Sequence, residues 1–102
     1  MFDKKLQITI KHNHDQLEVK KRISGLASSL RTLHSDKLQD IQESWDDFNA
    51  TFYLVGTGLK MTLFLNITSA EVNLDGNLPI LIRLHKKEIE HSFREQLTEM
   101  LQ

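Results

Sequence analysis

Gly76-Asn77-Leu78-Pro79 decides the fold of this chain, because the spacing of apolar residues changes there. Before it, in Leu59-Lys60-Met61-Thr62-Leu63-Phe64-Leu65-Asn66-Ile67, every second residue is apolar. After it, Ile82, Ile89, Phe93, Leu97 and Met100 return at helical intervals, with Leu81 and Leu101 flanking. A period of two marks a strand with one buried face, and a period near 3.6 marks one stripe of a helix. Pro79 is the only proline, and the reading places it at the first position of the terminal helix, where a fixed φ and a missing N–H cost nothing.

The same reasoning extends to the rest of the chain. Leu6, Ile8 and Ile10 alternate with polar residues and predict a first strand. Asp15 (or Asn13) caps a helix, with Glu18 completing a capping-box spacing after Asp15. Val19, Ile23, Leu26, Leu30 and Leu33 step by four and three, predicting one helix of roughly five turns. Gly25 lies beside that stripe and weakens it by about 1 kcal/mol relative to alanine, so a close approach to the sheet is its expected reason.

His34-Ser35-Asp36-Lys37 reads as a loop. Ile41, Glu43 and Trp45 share a strand face, Asp46-Asp47 turn the chain, and Phe48, Ala50, Phe52 and Leu54 form the next face. Gly56-Thr57-Gly58 and Thr68-Ser69 supply the following turns, and Ala70, Val72 and Leu74 the last strand. The order is β-α-β-β-β-β-α. Short turns between the four middle strands require an antiparallel meander. The predicted class is α+β, a single domain over residues 1–102, with the first strand at a sheet edge and both helices packed on one face.

Composition bounds function loosely. The 102 residues are 39% hydrophobic and 26% charged, with a net charge of −1, so no bulk attraction to nucleic acid is implied. Charge is uneven: residues 1–31 hold seven Lys/Arg against three acids, whereas residues 32–75 hold two against seven. Lys20-Lys21-Arg22 is the densest basic run and reads as a solvated helix face. The absence of cysteine removes disulfides and thiolate metal sites. No membrane span or leader is legible, so a cytoplasmic location is expected and the sequons at Asn49 and Asn66 read as chance matches.

No reaction is legible either. His12 and His14 are two apart, so on a strand they share a side and form the strongest metal-binding or catalytic alternative, although zinc would need a further ligand. The other reading of His14-Asp15 is a strand-to-helix corner. His85, Glu88 and His91 fall beside the apolar stripe of the last helix and read as its solvated flank. Gly56-Thr57-Gly58 lacks the rest of a dinucleotide fingerprint. The pattern supports an enclosed apolar site under the terminal helix, with Met61, Leu63, Leu65, Phe52 and Phe93 as ligand-facing candidates. Tyr53, Val55 and Phe64 fall on the opposite sheet face and could form a homodimer interface or a patch that adheres to a hydrophobic surface. The bland reading of that patch is cross-strand pairing.

A resemblance adds to this. Ile8-Thr9-Ile10-Lys11-His12-Asn13-His14, followed by Glu18-Val19-Lys20-Lys21-Arg22-Ile23, resembles the opening of the small bacterial polyhydroxyalkanoic acid system family. Gln42-Glu43-Ser44-Trp45 through Phe52, and Gly56-Thr57-Gly58-Leu59-Lys60-Met61, are similar to its central hairpins. Leu74-Asp75-Gly76-Asn77-Leu78-Pro79, Lys87-Glu88-Ile89-Glu90 and the ending Leu97-Thr98-Glu99-Met100-Leu101 are similar to its terminal element. The resemblance implies a non-enzymatic cytoplasmic protein without cofactor, partnered with a storage-polyester granule surface or an apolar small molecule. The layout is also similar to a reduced helix-grip fold, an analogy of architecture alone.

Overall fold

The computed structural model describes residues 4–33, 38–56 and 59–102, the side chains of Leu33 and Leu81 excepted. The expected loop at His34-Ser35-Asp36-Lys37, and Thr57-Gly58 of the glycine turn, lie outside the described residues. Strand β1 (Lys5–Lys11) is followed by helices α1 (Gln16–Ile23) and α2 (Leu26–Leu33). Strands β2 (Leu38–Asp46), β3 (Asn49–Gly56), β4 (Leu59–Ile67) and β5 (Glu71–Asn77) follow, then a 3-10 helix (Ile80–His85) and helix α3 (Lys86–Leu101).

The five strands form one sheet in the order β1-β5-β4-β3-β2, antiparallel throughout, with β1 at an edge as expected. Register puts the apolar residues of successive strands side by side: Ile8 pairs with Leu74, Leu74 with Leu65, Leu65 with Ala50, and Leu54 with both Met61 and Ile41. This inner face joins Val19, Ile23, Leu26, Ala27, Leu30, Phe93, Leu97 and Leu101 of the helices in one buried cluster. Among the described residues the sheet thus carries its helices on one side, and none of them covers the outer face.

Two expectations about the helices change. The predicted five-turn helix is two helices, broken at Ser24-Gly25, and Gly25 has φ +107°. Nothing lies within 4 Å of where a Cβ at Gly25 would sit, so the glycine answers a backbone need and not a close approach to the sheet. Both short helices still face the same core, which is why the four-and-three spacing runs unbroken across the break. The N-terminus of α2 is served from β2: the Glu43 carboxylate accepts from the amides of Ala27 (3.1 Å) and Gly25 (3.3 Å).

Pro79 caps the 3-10 helix with ψ 149°, one position before the expected one, and α3 begins only at Lys86. Strand β5 runs on through Asp75, Gly76 and Asn77, which were expected to lie between sheet and helix. Gly76 stands between Leu6 and Leu63 on the inner face. A Cβ there would lie 2.7 Å from both Leu63 Cδ2 and the Thr62 carbonyl oxygen, so only glycine lets the three strands close. Helix α3 packs chiefly over β1 and against α1, whereas α2 packs over β2. The terminal helix therefore does not lie along the β4 face as the apolar pattern suggested.

Candidate functional site

Helix α1 covers β4 and packs against α3, but α3 is not closely packed against α2. An apolar groove of about 340 Å³ opens between these two helices. Its floor is the sheet near the β3–β4 hairpin, where Leu54, Leu59 and Met61 meet Leu38 at the start of β2. Leu30 of α2 forms one wall. Ile82 of the 3-10 helix and Ile89 and Phe93 of α3 form the other. His85, Glu88 and Ser92 add the polar groups, all from the 3-10–α3 side.

Helical spacing explains that grouping. Glu88 and Ile89 lie three and four residues after His85, and Ser92 and Phe93 lie four residues after Glu88 and Ile89, so the five share one side of α3 and its N-cap. Phe93 is buried, Ile89 and Ser92 are half-buried, and Glu88 is exposed. His85 Nδ1 lies 3.3 Å from Glu88 Oε2, and both side chains are well solvated at 53% and 81% exposure. The site therefore grades from apolar depth to a polar mouth, the usual arrangement of a pocket that orients an amphiphilic ligand.

Of the five ligand-facing candidates, the groove brings together Met61 and Phe93. Phe52, Leu63 and Leu65, at 0%, 1% and 2% exposure, sit in solid core away from it. The rest of the apolar lining is Leu30, Leu38, Leu54, Leu59, Ile82 and Ile89, none of them among those candidates. All but Leu38 belong to the apolar faces that the sequence predicts, and periodicity alone does not separate a groove wall from solid core. His85 and Glu88, read as solvated flank, are solvated and also stand at the mouth.

The outer sheet face is a separate surface. Tyr53 pairs with Thr62 and Thr51 with Phe64, so the two aromatics are diagonal neighbours, 45% and 54% exposed. Val55, paired with Lys60 and Asp40, is half-buried. Around them stand Gln42, Ser44, Asn66 and Asp75, so this face is polar with two aromatic islands. The sequon asparagines face one another there, Asn66 Nδ2 donating to Asn49 Oδ1 at 2.8 Å.

His12 and His14 stack with ring centroids 6.4 Å apart, and three of their four ring nitrogens are engaged in tying chain segments together. His12 Nε2 donates to the Thr68 carbonyl (3.0 Å) and its Nδ1 accepts from the His14 amide (3.2 Å), which fixes the tautomer. His14 Nε2 donates to the Leu101 carbonyl (2.8 Å) at the end of α3. The corner reading of this pair is the one the contacts fit. No group of three or more His, Asp or Glu among the described residues is placed to hold a metal ion. The basic run also disperses: Lys20 Nζ lies over the Trp45 ring at 5.4 Å, and Arg22 pairs with Glu18 and donates to the Gln102 carbonyl.

A family model described as "Putative polyhydroxyalkanoic acid system protein (PHA_gran_rgn)" matches residues 6–101. The chain belongs to that polyhydroxyalkanoic acid system family. No curated protein and no solved structure matches it, so the helix-grip likeness stays an analogy of layout. No helix among the described residues is long and apolar enough to cross a membrane.

Proposed function

We propose that the protein serves its polyhydroxyalkanoic acid system as a non-enzymatic cytoplasmic binding protein that holds an apolar acyl chain in the groove between α2 and α3. The observation that carries this reading is the groove itself: about 340 Å³ with an apolar floor and both walls apolar, opening beside the buried core cluster. That volume falls at the small end of the roughly 300–1,000 Å³ of ligand pockets, which suits one short chain and no bulky ring system. The family's polyhydroxyalkanoic acid description supports choosing a hydroxyacyl chain as the chemical class. Displacement of the neutral fluorescent probe N-phenyl-1-naphthylamine by a medium-chain 3-hydroxyalkanoate methyl ester tests it. Saturable displacement is expected, and Ile89→Glu, which places a charge on the half-buried wall, should abolish it without loss of helical circular dichroism. Wild-type protein that neither binds the probe nor releases it to the ester would overturn the proposal.

A second reading has its own observation, the exposure of Tyr53 and Phe64 on the uncovered sheet face. Through them and Val55 the protein would adhere to a polyester granule surface, or to a second copy of itself. Co-sedimentation with granules separates the readings, because Phe64→Asp should release the protein from granules while leaving probe binding in the groove unchanged. Equal recovery of wild type and variant removes the sheet-face reading.

A further inference from the structure

Among the described residues that line the groove, only His85 and Glu88 carry titratable groups, and both stand on the α3 side of its mouth. Two described cations beside the mouth are engaged with other groups. Lys86 Nζ lies 3.7 Å from Glu90, and Arg83 Nε donates to the Leu78 carbonyl at 3.0 Å. The start of α3 is no open anion site either, because the chain enters it from the 3-10 helix and the Lys86 amide already donates to the Arg83 carbonyl. A carboxylate brought to this mouth meets the Glu88 charge, offset by His85 only while that ring is protonated. Ser92, half-buried one turn further along α3, offers a hydroxyl that donates to an ester carbonyl or accepts from an alcohol.

From this charge distribution we infer that the groove selects the neutral, hydroxyl- or ester-bearing form of an acyl chain over the free carboxylic acid, with Glu88 as the residue that sets the selection. The inference rests on the groove being the binding site. It names a polymer-like or esterified chain as the ligand, in preference to the free hydroxy acid from which such a chain is made.

The expected effect is modest because Glu88 is 81% exposed. Two like charges about 5 Å apart in a water-like dielectric repel by about 0.8 kcal/mol, which is about fourfold in affinity, and salt screens it. The test measures probe displacement by 3-hydroxydecanoate and by its methyl ester, at mildly alkaline pH and low salt, for wild type and Glu88→Gln. The acid should bind about fourfold more tightly to Glu88→Gln than to wild type, the ester equally to both, and high salt should erase the acid's gain. An acid affinity that is unchanged or weaker in Glu88→Gln overturns the inference while leaving the groove reading intact, and so does an ester affinity that moves in step with the acid's. Displacement by neither ligand overturns both.

Discussion

Replacing Glu43 with alanine is expected to destabilise the fold by about 2–3 kcal/mol, with the loss centred on α2. Glu43 lies on the inner face of edge strand β2, half-buried, where an unpaired carboxylate would be costly. Its oxygens collect three donors: the Ala27 amide at 3.1 Å, the Gly25 amide at 3.3 Å and Trp45 Nε1 at 2.6 Å. Hydrogen bonds to a charged group are worth about 1.5–3 kcal/mol each when well made. Here one is long and water can replace part of the rest, so the total stays well below three full bonds. In a domain of this size each kcal/mol moves the melting temperature by about 4–8 °C, so a fall of roughly 10–20 °C is expected. Urea unfolding followed by tryptophan fluorescence and by circular dichroism should show a lower midpoint at an unchanged slope. Glu43→Gln keeps one acceptor oxygen and should lose about half as much. A double-mutant cycle with Trp45→Phe isolates the indole bond, with a coupling of about 1 kcal/mol expected. A stability loss under 0.5 kcal/mol in Glu43→Ala would refute the claim that β2 caps α2 through this carboxylate, and strict additivity in the cycle would remove the indole bond. Because Leu30 of α2 is a groove wall, Glu43→Ala should also weaken probe binding at temperatures where the protein remains folded.

Two further substitutions test the packing that frames the site. Gly76→Ala should cost about 1–3 kcal/mol by overpacking, since its Cβ would meet the Thr62 carbonyl and Leu63 Cδ2 at 2.7 Å, and thermal melting reads it directly. His14→Ala removes the bond to the Leu101 carbonyl and should cost about 0.5–1.5 kcal/mol, with faster amide exchange confined to the last turn of α3 and no response to added zinc or chelator. Zinc-dependent stabilisation of the wild type that is lost in His14→Ala would restore the metal reading of the histidine pair.

The strands were legible because their inner residues obey a period of two for the whole length of each ladder, and the short turns left only an antiparallel meander. The break at Gly25 was not, because Val19, Ile23, Leu26 and Leu30 face one core from both sides of it and so preserve a single helical rhythm. Positive φ is a backbone property that glycine permits without announcing. The end of β5 was hidden for a different reason. Asp75, Gly76 and Asn77 have poor strand propensity, yet β1 pairs with all three and β4 with the first two, and that pairing overrides propensity. Glu43 was placed on the correct face with no visible partner, since its donors come from a helix start that the unbroken-helix reading did not contain. The groove was the least legible part. It arises where α2 and α3 fail to pack on one another, a relation between elements that no single stretch of sequence records.

The contrast between Gly76 and the groove bears on whether that gap is mere looseness. A chain of 102 residues has a small margin of stability, and apolar side chains left uncovered along a groove forfeit both transfer energy and dispersion contacts. At Gly76, by contrast, strands β1, β5 and β4 close so tightly that one added carbon does not fit. The sheet therefore closes tightly at Gly76 and leaves the hairpin end of β3 and β4 open between α2 and α3. Simple repacking would suffice to close that end, for instance a larger side chain in place of Ser92. Instead the half-buried Ser92 hydroxyl and the His85–Glu88 pair stand beside apolar walls, an arrangement that adds nothing to a core and that fits the proposed amphiphilic chain. That difference between the two ends of one sheet face is the physical reason to seek the ligand in the groove before the outer face.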